Sequence, residues 1–334
     1  MDPMRTERHR EVHREPWTSE SYDPLMQRYR DFNTYLKEIF GERVQKISLD
    51  AGLGCPNRDG TISREGCLFC DRRGSGTGAF IDEGLSIDQQ IVRAKEVIRK
   101  RYKARKFIAY FQSFTNTYAP VPRLKSLYDQ ALAHKGMVGL SVATRPDCVD
   151  SDILGLIRSY QRDCLVWIEY GLQSSHDATL KRIHRGHDVA RFEKSVYMAA
   201  DQGINVCAHI ILGLPGEDRE MMLGTARYLS FLPVQGIKIH LLYVVKGTPL
   251  AERYHTKDFK CLGRDEYANL VVDVLERLSP GMVIQRLTGD PVSSELVAPA
   301  WAIEKQINLR CIRDTLERRD TWQGRLFQTS TARK

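Results

Sequence analysis

VQKISLDAGLGCPNRDGTISREGCLFC (44–70) places a short strand-like run directly before a loop with three cysteines, Cys55, Cys67 and Cys70, spaced C-x11-C-x2-C. VQKISLD (44–50) reads as a strand, and the Gly-rich loop runs on to about residue 84, with Gly74, Gly76 and Gly78 following the last cysteine. Thiolates in such a cluster favour an iron–sulfur cluster or zinc. Four thiolates complete the usual [4Fe–4S] site, whereas three leave one iron open to another ligand. A structural zinc knuckle with a remote fourth ligand is the alternative. The nearest other candidates are distant in sequence: Cys148 lies past the third strand, and His134 falls on a helical pattern.

Outward from this loop the chain alternates between two periodicities. Strand-like runs recur at 107–112, 137–144, 164–173, 204–214 and 236–245. Between them lie helical patterns: 86–102 with Ser86 as its N-cap, 121–134 after the Pro120/Pro122 pair, 150–160, 176–202 with a break at Gly186, and 217–231. This makes six or seven βα units. Parallel strands need crossover connections, so the order implies a parallel sheet with helices outside. The loops at the C-terminal ends of such strands build the active site, and the cysteine loop is in that position. After about residue 248 the pattern turns mainly helical, with one possible strand at 282–287. The expected domains are a polar N-terminal tail over 1–30, a core over 31–247 and a C-terminal extension over 248–334.

Composition narrows the function classes. The 334 residues are 42% hydrophobic and 28% charged, as expected of a soluble globular protein. No apolar run reaches about 18 residues, which excludes a transmembrane helix. The first residues lack the apolar core of a secretory signal. Clustered thiols in such a chain read as metal ligands in a reducing compartment, so a cytoplasmic location is expected. Cys164 and Cys207 sit in apolar runs and read as small buried hydrophobes. The formal net charge is +8 and fits a polyanionic partner. Its concentrations are Arg93–Lys106 and the last 34 residues, where Arg310, Arg313, Arg318, Arg319 and Arg325 accompany helically spaced apolar residues. Two solvated helix faces would give the same pattern.

The cysteine loop, with Phe69 before its last cysteine, resembles that of the radical S-adenosylmethionine (SAM) superfamily, although the usual spacing there is C-x3-C-x2-C. The longer spacing with CPNRDGT inside resembles the Elongator-like branch, and most closely its short bacterial YtqA/YhcC-type (MnmL-like) members. FQSFTNTYAP (111–120), ATRPD (143–147), IEYGLQS (168–174), IHRGH (183–187) and HIILGLPGE (209–217) match that branch in order. The resemblance implies an α/β fold: a partial (β/α)6-type parallel barrel with a mainly helical C-terminal extension. It also implies a [4Fe–4S] cluster on Cys55, Cys67 and Cys70, and SAM on its open iron.

Carried over residue by residue, the resemblance places Gln112 and Ser113 near the methionyl group of SAM, where this chain lacks the family's glycines. Glu169, Gln173 and Arg185 become SAM contacts, with Arg185 twelve positions after Gln173 as in coproporphyrinogen-oxidase-type relatives. Leu214 and Gly216 would let backbone approach the adenine. Glu169 also reads as a paired structural carboxylate, Arg185 as a helix C-terminal cap, and His209 as a satisfied core histidine where those relatives carry Asp. Tyr243 and Lys246 read as mouth-lining or as packing residues. No catalytic residue is assigned.

The functional expectation is reductive cleavage of SAM to start hydrogen abstraction. The implied substrate is tRNA, whose wobble uridine would change from carboxymethylaminomethyl to aminomethyl. The implied partners are tRNA and an electron donor such as flavodoxin or ferredoxin, with no membrane. The alternatives are a radical SAM enzyme acting on a small metabolite or protein, and a non-catalytic zinc- or RNA-binding protein.

Overall fold

A parallel strand cannot turn back on its neighbour, so each of these strands must be followed by a helix that returns the chain across one face. The computed structural model describes residues 28–74 and 84–328 and follows that rule. Of the polar tail expected over 1–30, all but the last three residues lie outside the described range, as do Gly76 and Gly78. The elements are α1 (Phe32–Phe40), β1 (Val44–Leu49), α2 (Ile87–Tyr102), β2 (Lys106–Phe111), α3 (Val121–Leu132), β3 (Met137–Thr144) and α4 (Ser151–Ser159). They continue with β4 (Leu165–Gln173), α5 (Asp177–Arg182), α6 (Val189–Ala200), β5 (Asn205–Leu212), α7 (Arg219–Ser230) and β6 (Gly236–Leu241). The remainder is β7 (Val244–Val245), α8 (Pro249–His255), α9 (Arg264–Arg277), β8 (Val283–Arg286), β9 (Leu296–Ala298) and α10 (Lys305–Arg318).

Seven strands form one curled half-barrel in the order β1-β2-β3-β4-β5-β6-β8, every pair parallel. Ser86 caps α2 in a reciprocal capping box with Gln89, as its position suggested. The helical pattern 176–202 divides at the expected glycine into α5 and α6.

The run 236–245 differs from its expected form, being two strands and not one. Leu241 is the last residue of β6 in register with β5, opposite Leu212. Leu242 makes a last bond to the carbonyl of Leu212 at 3.0 Å, after which the chain turns at Tyr243 and β7 pairs antiparallel with β9. The C-terminal extension also reaches into the barrel, because β8 adds to the sheet beside β6.

Alternation along each strand sorts its residues between two environments. On β4, Val166, Ile168, Tyr170 and Leu172 pack with the helices in the main core, while Glu169 faces the barrel interior. Trp167, fully buried, fills the lower end of that interior with Cys207 and Val283. Helix α1 stoppers it there. Phe32 and Tyr35 meet Trp167 edge-on at 6.0 and 5.8 Å. A helix that precedes the first strand therefore closes the end of the barrel away from the cysteine loop.

Tyr128 of α3 tests the outer layer. It is fully buried, stacks edge-on against Phe111 at 5.1 Å and donates its hydroxyl to the carbonyl of Asn116 at 2.6 Å. Replacing it with Ala is expected to cost about 3–5 kcal/mol through the cavity left behind, and with Phe about 1 kcal/mol for the lost hydrogen bond. Urea denaturation of the two variants measures both.

Candidate functional site

The cysteine loop is pinned before any ligand arrives. The carbonyl of Cys55 accepts from the amides of Arg58 and Asp59, and the amide of Cys70 donates to the carbonyl of Cys67 at 3.0 Å. Leu68 exchanges backbone bonds with two distant segments, donating to Ile183 and accepting from Leu250. Asn57 donates through Nδ2 to the carbonyl of His184 at 2.7 Å. Further along, Gly74 lies against Phe114, and its φ of +63° together with a ring atom 2.6 Å from a notional Cβ admits no other residue. Cys55, Cys67 and Cys70 consequently face one cavity at the C-terminal ends of the strands.

The opposite lip comes from the segment between α5 and α6. Arg185 is 7% exposed and lays its guanidinium over β4. Nε and Nη2 donate to the carbonyl of Gly171 at 3.2 and 2.7 Å, while Nη1 points at the sulfur of Cys67 at 3.5 Å. Gly171 is what permits this, since a Cβ there would stand 2.5 Å from Nη2. The side chain thus bonds Gly171 and Cys67, not the end of a helix. Arg145 fixes the segment from below, donating to the carbonyl of Arg185 at 2.8 Å while gripping Asp147 with Nε and Nη2 at 2.9 and 2.8 Å. His187 also reaches the Gly171 carbonyl, and burial, with Arg185 and Arg145 beside it, pushes its pKa down to about 3. It is neutral.

Deeper in the cavity a single carboxylate gathers hydrogen-bond donors from four other strands. Glu169 is wholly buried. It accepts from Lys46 of β1 and from His209 of β5 at 2.7 Å each, and from Lys238 of β6 and Ser141 of β3. Burial alone would raise its pKa, but Lys238, Lys46 and His209 overcome that and hold it well below the carboxylate range. Burial carries Lys238 down to about 7 against the attraction of Glu169. Burial and the neighbouring Lys238 carry His209 down to about 4. His209 is therefore a satisfied neutral histidine that also lines the cavity.

Of the residues singled out in sequence, the cavity brings together Cys55, Cys67, Cys70, Gln112, Glu169, Gln173, Arg185, His209 and Tyr243. Ser113 is fully buried behind that wall, with its hydroxyl unpartnered. Leu214 packs in a small apolar cluster with Leu68 and Ile183. Gly216 sits under Arg182, and Lys246 is exposed and donates to the carbonyl of Ser294. Sequence reasoning passed over Lys238, His240, Tyr110, Arg145 and Arg286, all of which line the cavity. A signal existed in GIKIHL (236–241), whose polar residues alternate with apolar ones at the period of a strand.

The three thiols suit a cluster better than a single ion. A tetrahedral zinc with sulfur at about 2.3 Å would hold its ligand atoms close together. Among the described residues the only His, Cys, Asp or Glu trio gathered within 4.8 Å is Glu169, Cys207 and His209. Glu169 is already satisfied there by two lysines, and burial pushes the Cys207 thiol up. The loop cysteines are spread more widely, as an iron–sulfur cluster on three thiolates requires. Asn57 Nδ2 and Arg185 Nη1, each 3.5 Å from Cys67 sulfur, are placed to orient that sulfur toward the cavity. No helix among the described residues is long and apolar enough to cross a membrane.

Residues 52–229 match the family described as the Radical SAM superfamily, and residues 234–318 match the Radical_SAM C-terminal domain. The chain is 41% identical to the protein YtqA of Bacillus subtilis over 92% of its own length and 95% of that protein. A tRNA uridine(34) acetyltransferase of Methanocaldococcus infernus is 30% identical over 44% of this chain and 27% of its own. The solved structure of Methanocaldococcus infernus Elp3 with an N-terminal deletion superposes with a TM-score of 0.64 at 16% identity. That alignment covers 84% of this chain and 64% of the other.

The charge cluster predicts a pH dependence of stability. His209 ionises at about 4 in the folded protein against an ordinary 6.5. Between these values the unfolded chain binds a proton that the native one does not, so stability falls on acidification. The depressed Glu169 acts in the same direction, its contribution being lost as pH falls below the ordinary 4.5. The urea midpoint is expected to drop from pH 6.5 toward pH 4. His209→Gln, which can still donate to Glu169, makes the fall in that window shallower without abolishing it, because burial also holds His187 down to about 3 and His240 well below the ordinary range.

Proposed function

The chain belongs to the radical SAM superfamily, and we propose that it is an enzyme that modifies the wobble uridine of tRNA, trimming a carboxymethylaminomethyl side chain to aminomethyl. The observation that carries the enzymatic part is the shared cavity of Cys55, Cys67 and Cys70 with Gln112, Gln173 and Arg185. In this reading the three thiolates hold a [4Fe–4S] cluster, which with SAM bound supplies reductive cleavage of the sulfonium and a radical that abstracts hydrogen. Arg185 and Gln173 hold the carboxylate and amine of SAM. Of the polar atoms left unpartnered after β2, Thr115 Oγ1 belongs to a residue of the cavity lining and offers a further hydrogen bond on the same side. Phe69, Phe114 and Ile211 line the remaining wall and exclude water from the reacting C–H bond.

Support for a tRNA substrate comes from the archaeal relative, a tRNA uridine(34) acetyltransferase, and from surface charge. Arg93, Arg99, Lys100, Arg101, Lys103 and Arg105 are exposed along α2 and just beyond it. Helix α2 returns the chain toward the start of β2, so its last turn is at the opposite end of the strands from the cysteine loop. This face suits phosphates in the body of a tRNA, and the exposed Arg64 and Arg72 on the cysteine loop suit those next to the cavity. An electron donor such as flavodoxin or ferredoxin, and a cytoplasmic setting, complete the proposal.

Anaerobic reconstitution tests it. We expect about four irons per chain and release of 5′-deoxyadenosine on reduction with SAM, both lost in Cys55→Ala, Cys67→Ala and Cys70→Ala. Incubation with tRNA carrying carboxymethylaminomethyluridine should then yield aminomethyluridine. Deoxyadenosine without any change in tRNA would remove the tRNA assignment and point to a small molecule or protein. Bound zinc with no SAM cleavage would remove the enzymatic reading.

A further inference from the structure

The interior wall formed by β6 and β8 carries more positive charge than the protein itself neutralises. Lys238 and Arg286 are register partners across these two strands, so their side chains share one face, and His240 follows two residues along. All three line the cavity. Glu169 is the one acidic residue in that lining, and it is already engaged by Lys46, Lys238, His209 and Ser141. Arg286 has no hydrogen-bond or ion-pair partner among the described residues. The Nε2 atom of His240 is buried and equally unpartnered. The two histidine rings lie 5.3 Å apart, so His240 has a neutral His209 beside it, and Glu169, which also acts on it, is held by other donors.

Leaving a half-buried guanidinium and a buried ring nitrogen unpaired is costly. An anionic ligand group removes that cost, and a planar carboxylate matches the fork of an arginine. We propose that Arg286 and His240, with Lys238 behind them, form a pocket for a carboxylate carried by the substrate. The pocket stands on the opposite side of the cavity lining from the cysteine loop, on strands that supply none of the thiols or Arg185. It rests on the proposed wobble-uridine reading only for the molecule that carries the acid. There the terminal carboxylate of the carboxymethylaminomethyl group occupies the pocket and fixes the methylene carbons above it.

Three anions could reach these residues: the side-chain carboxylate, a tRNA phosphate and the carboxylate of SAM. Binding by the reconstituted protein without reductant separates them, because no turnover occurs. Two tRNAs are compared, one with carboxymethylaminomethyluridine and one with aminomethyluridine, which differ in the carboxylate and share every phosphate. The wild type should prefer the first by about tenfold, the worth of a charge-assisted hydrogen bond. Arg286→Gln should bind both with the weaker affinity and bind SAM as the wild type does. Arg286→Lys should keep part of the preference.

A preference that survives Arg286→Gln, or a wild type that binds both tRNAs equally, overturns the pocket and leaves the tRNA reading standing. Loss of SAM affinity in Arg286→Gln overturns it in favour of a cofactor contact. Failure to bind either tRNA removes the tRNA reading, and a second probe then decides the pocket. Sodium acetate replacing chloride at constant ionic strength should raise the Tm of the wild type and not that of Arg286→Gln. An equal rise in both refutes the pocket.

Discussion

One buried carboxylate organises the interior. Glu169 on the central strand β4 receives Lys46 from β1, Ser141 from β3, His209 from β5 and Lys238 from β6. These residues reach it because consecutive parallel strands in register turn the same alternate positions inward. Buried ion clusters of this kind add little net stability, since desolvation offsets most of the attraction. What the cluster does is keep the interior polar and open at a level where a closed parallel barrel would be filled with branched apolar side chains.

The layers above and below follow from that. Trp167, with Phe32 and Tyr35 from α1, seals the lower end, so the charges below the cavity are cut off from water. Above, the cysteine loop after β1 and the α5–α6 segment face each other across the strand ends. Leu68 and Asn57 bond the backbone of that segment, and Arg185 crosses the backbone of Gly171 to reach Cys67. The three thiols and Arg185 thereby come from segments far apart in sequence yet share one wall. The C-terminal extension takes part as well, since β8 brings Arg286 to the cavity.

Much of this was legible before folding was considered. Alternating periodicities marked the strands and most helices, because burial on a parallel sheet demands apolar runs between amphipathic returns. The cysteine spacing marked the loop, because no other local arrangement of residues supplies three thiols after a strand. Helix α1 carries its own period, with Phe32, Tyr35, Leu36, Ile39 and Phe40 at helical spacing ahead of the first strand. Harder to read was the break in 236–245, which depends on where β5 ends. Leu214 and Gly216 were also beyond local reading, since whether a loop residue reaches a cavity depends on neighbours such as Arg182.

By itself, then, the sequence determined the parallel βα order, the three-thiol loop and its place at the C-terminal end of the first strand. Each of these depends on residues close together in the chain. Only the tertiary structure decided that Glu169 would be paired with Lys46, Lys238 and His209, that Arg185 would lie on Gly171, and that Arg286 would face the cavity with no acid beside it. Those outcomes depend on register between strands dozens of residues apart. In such a sheet the pairing of one strand with the next determines which charges meet, and no local pattern encodes it.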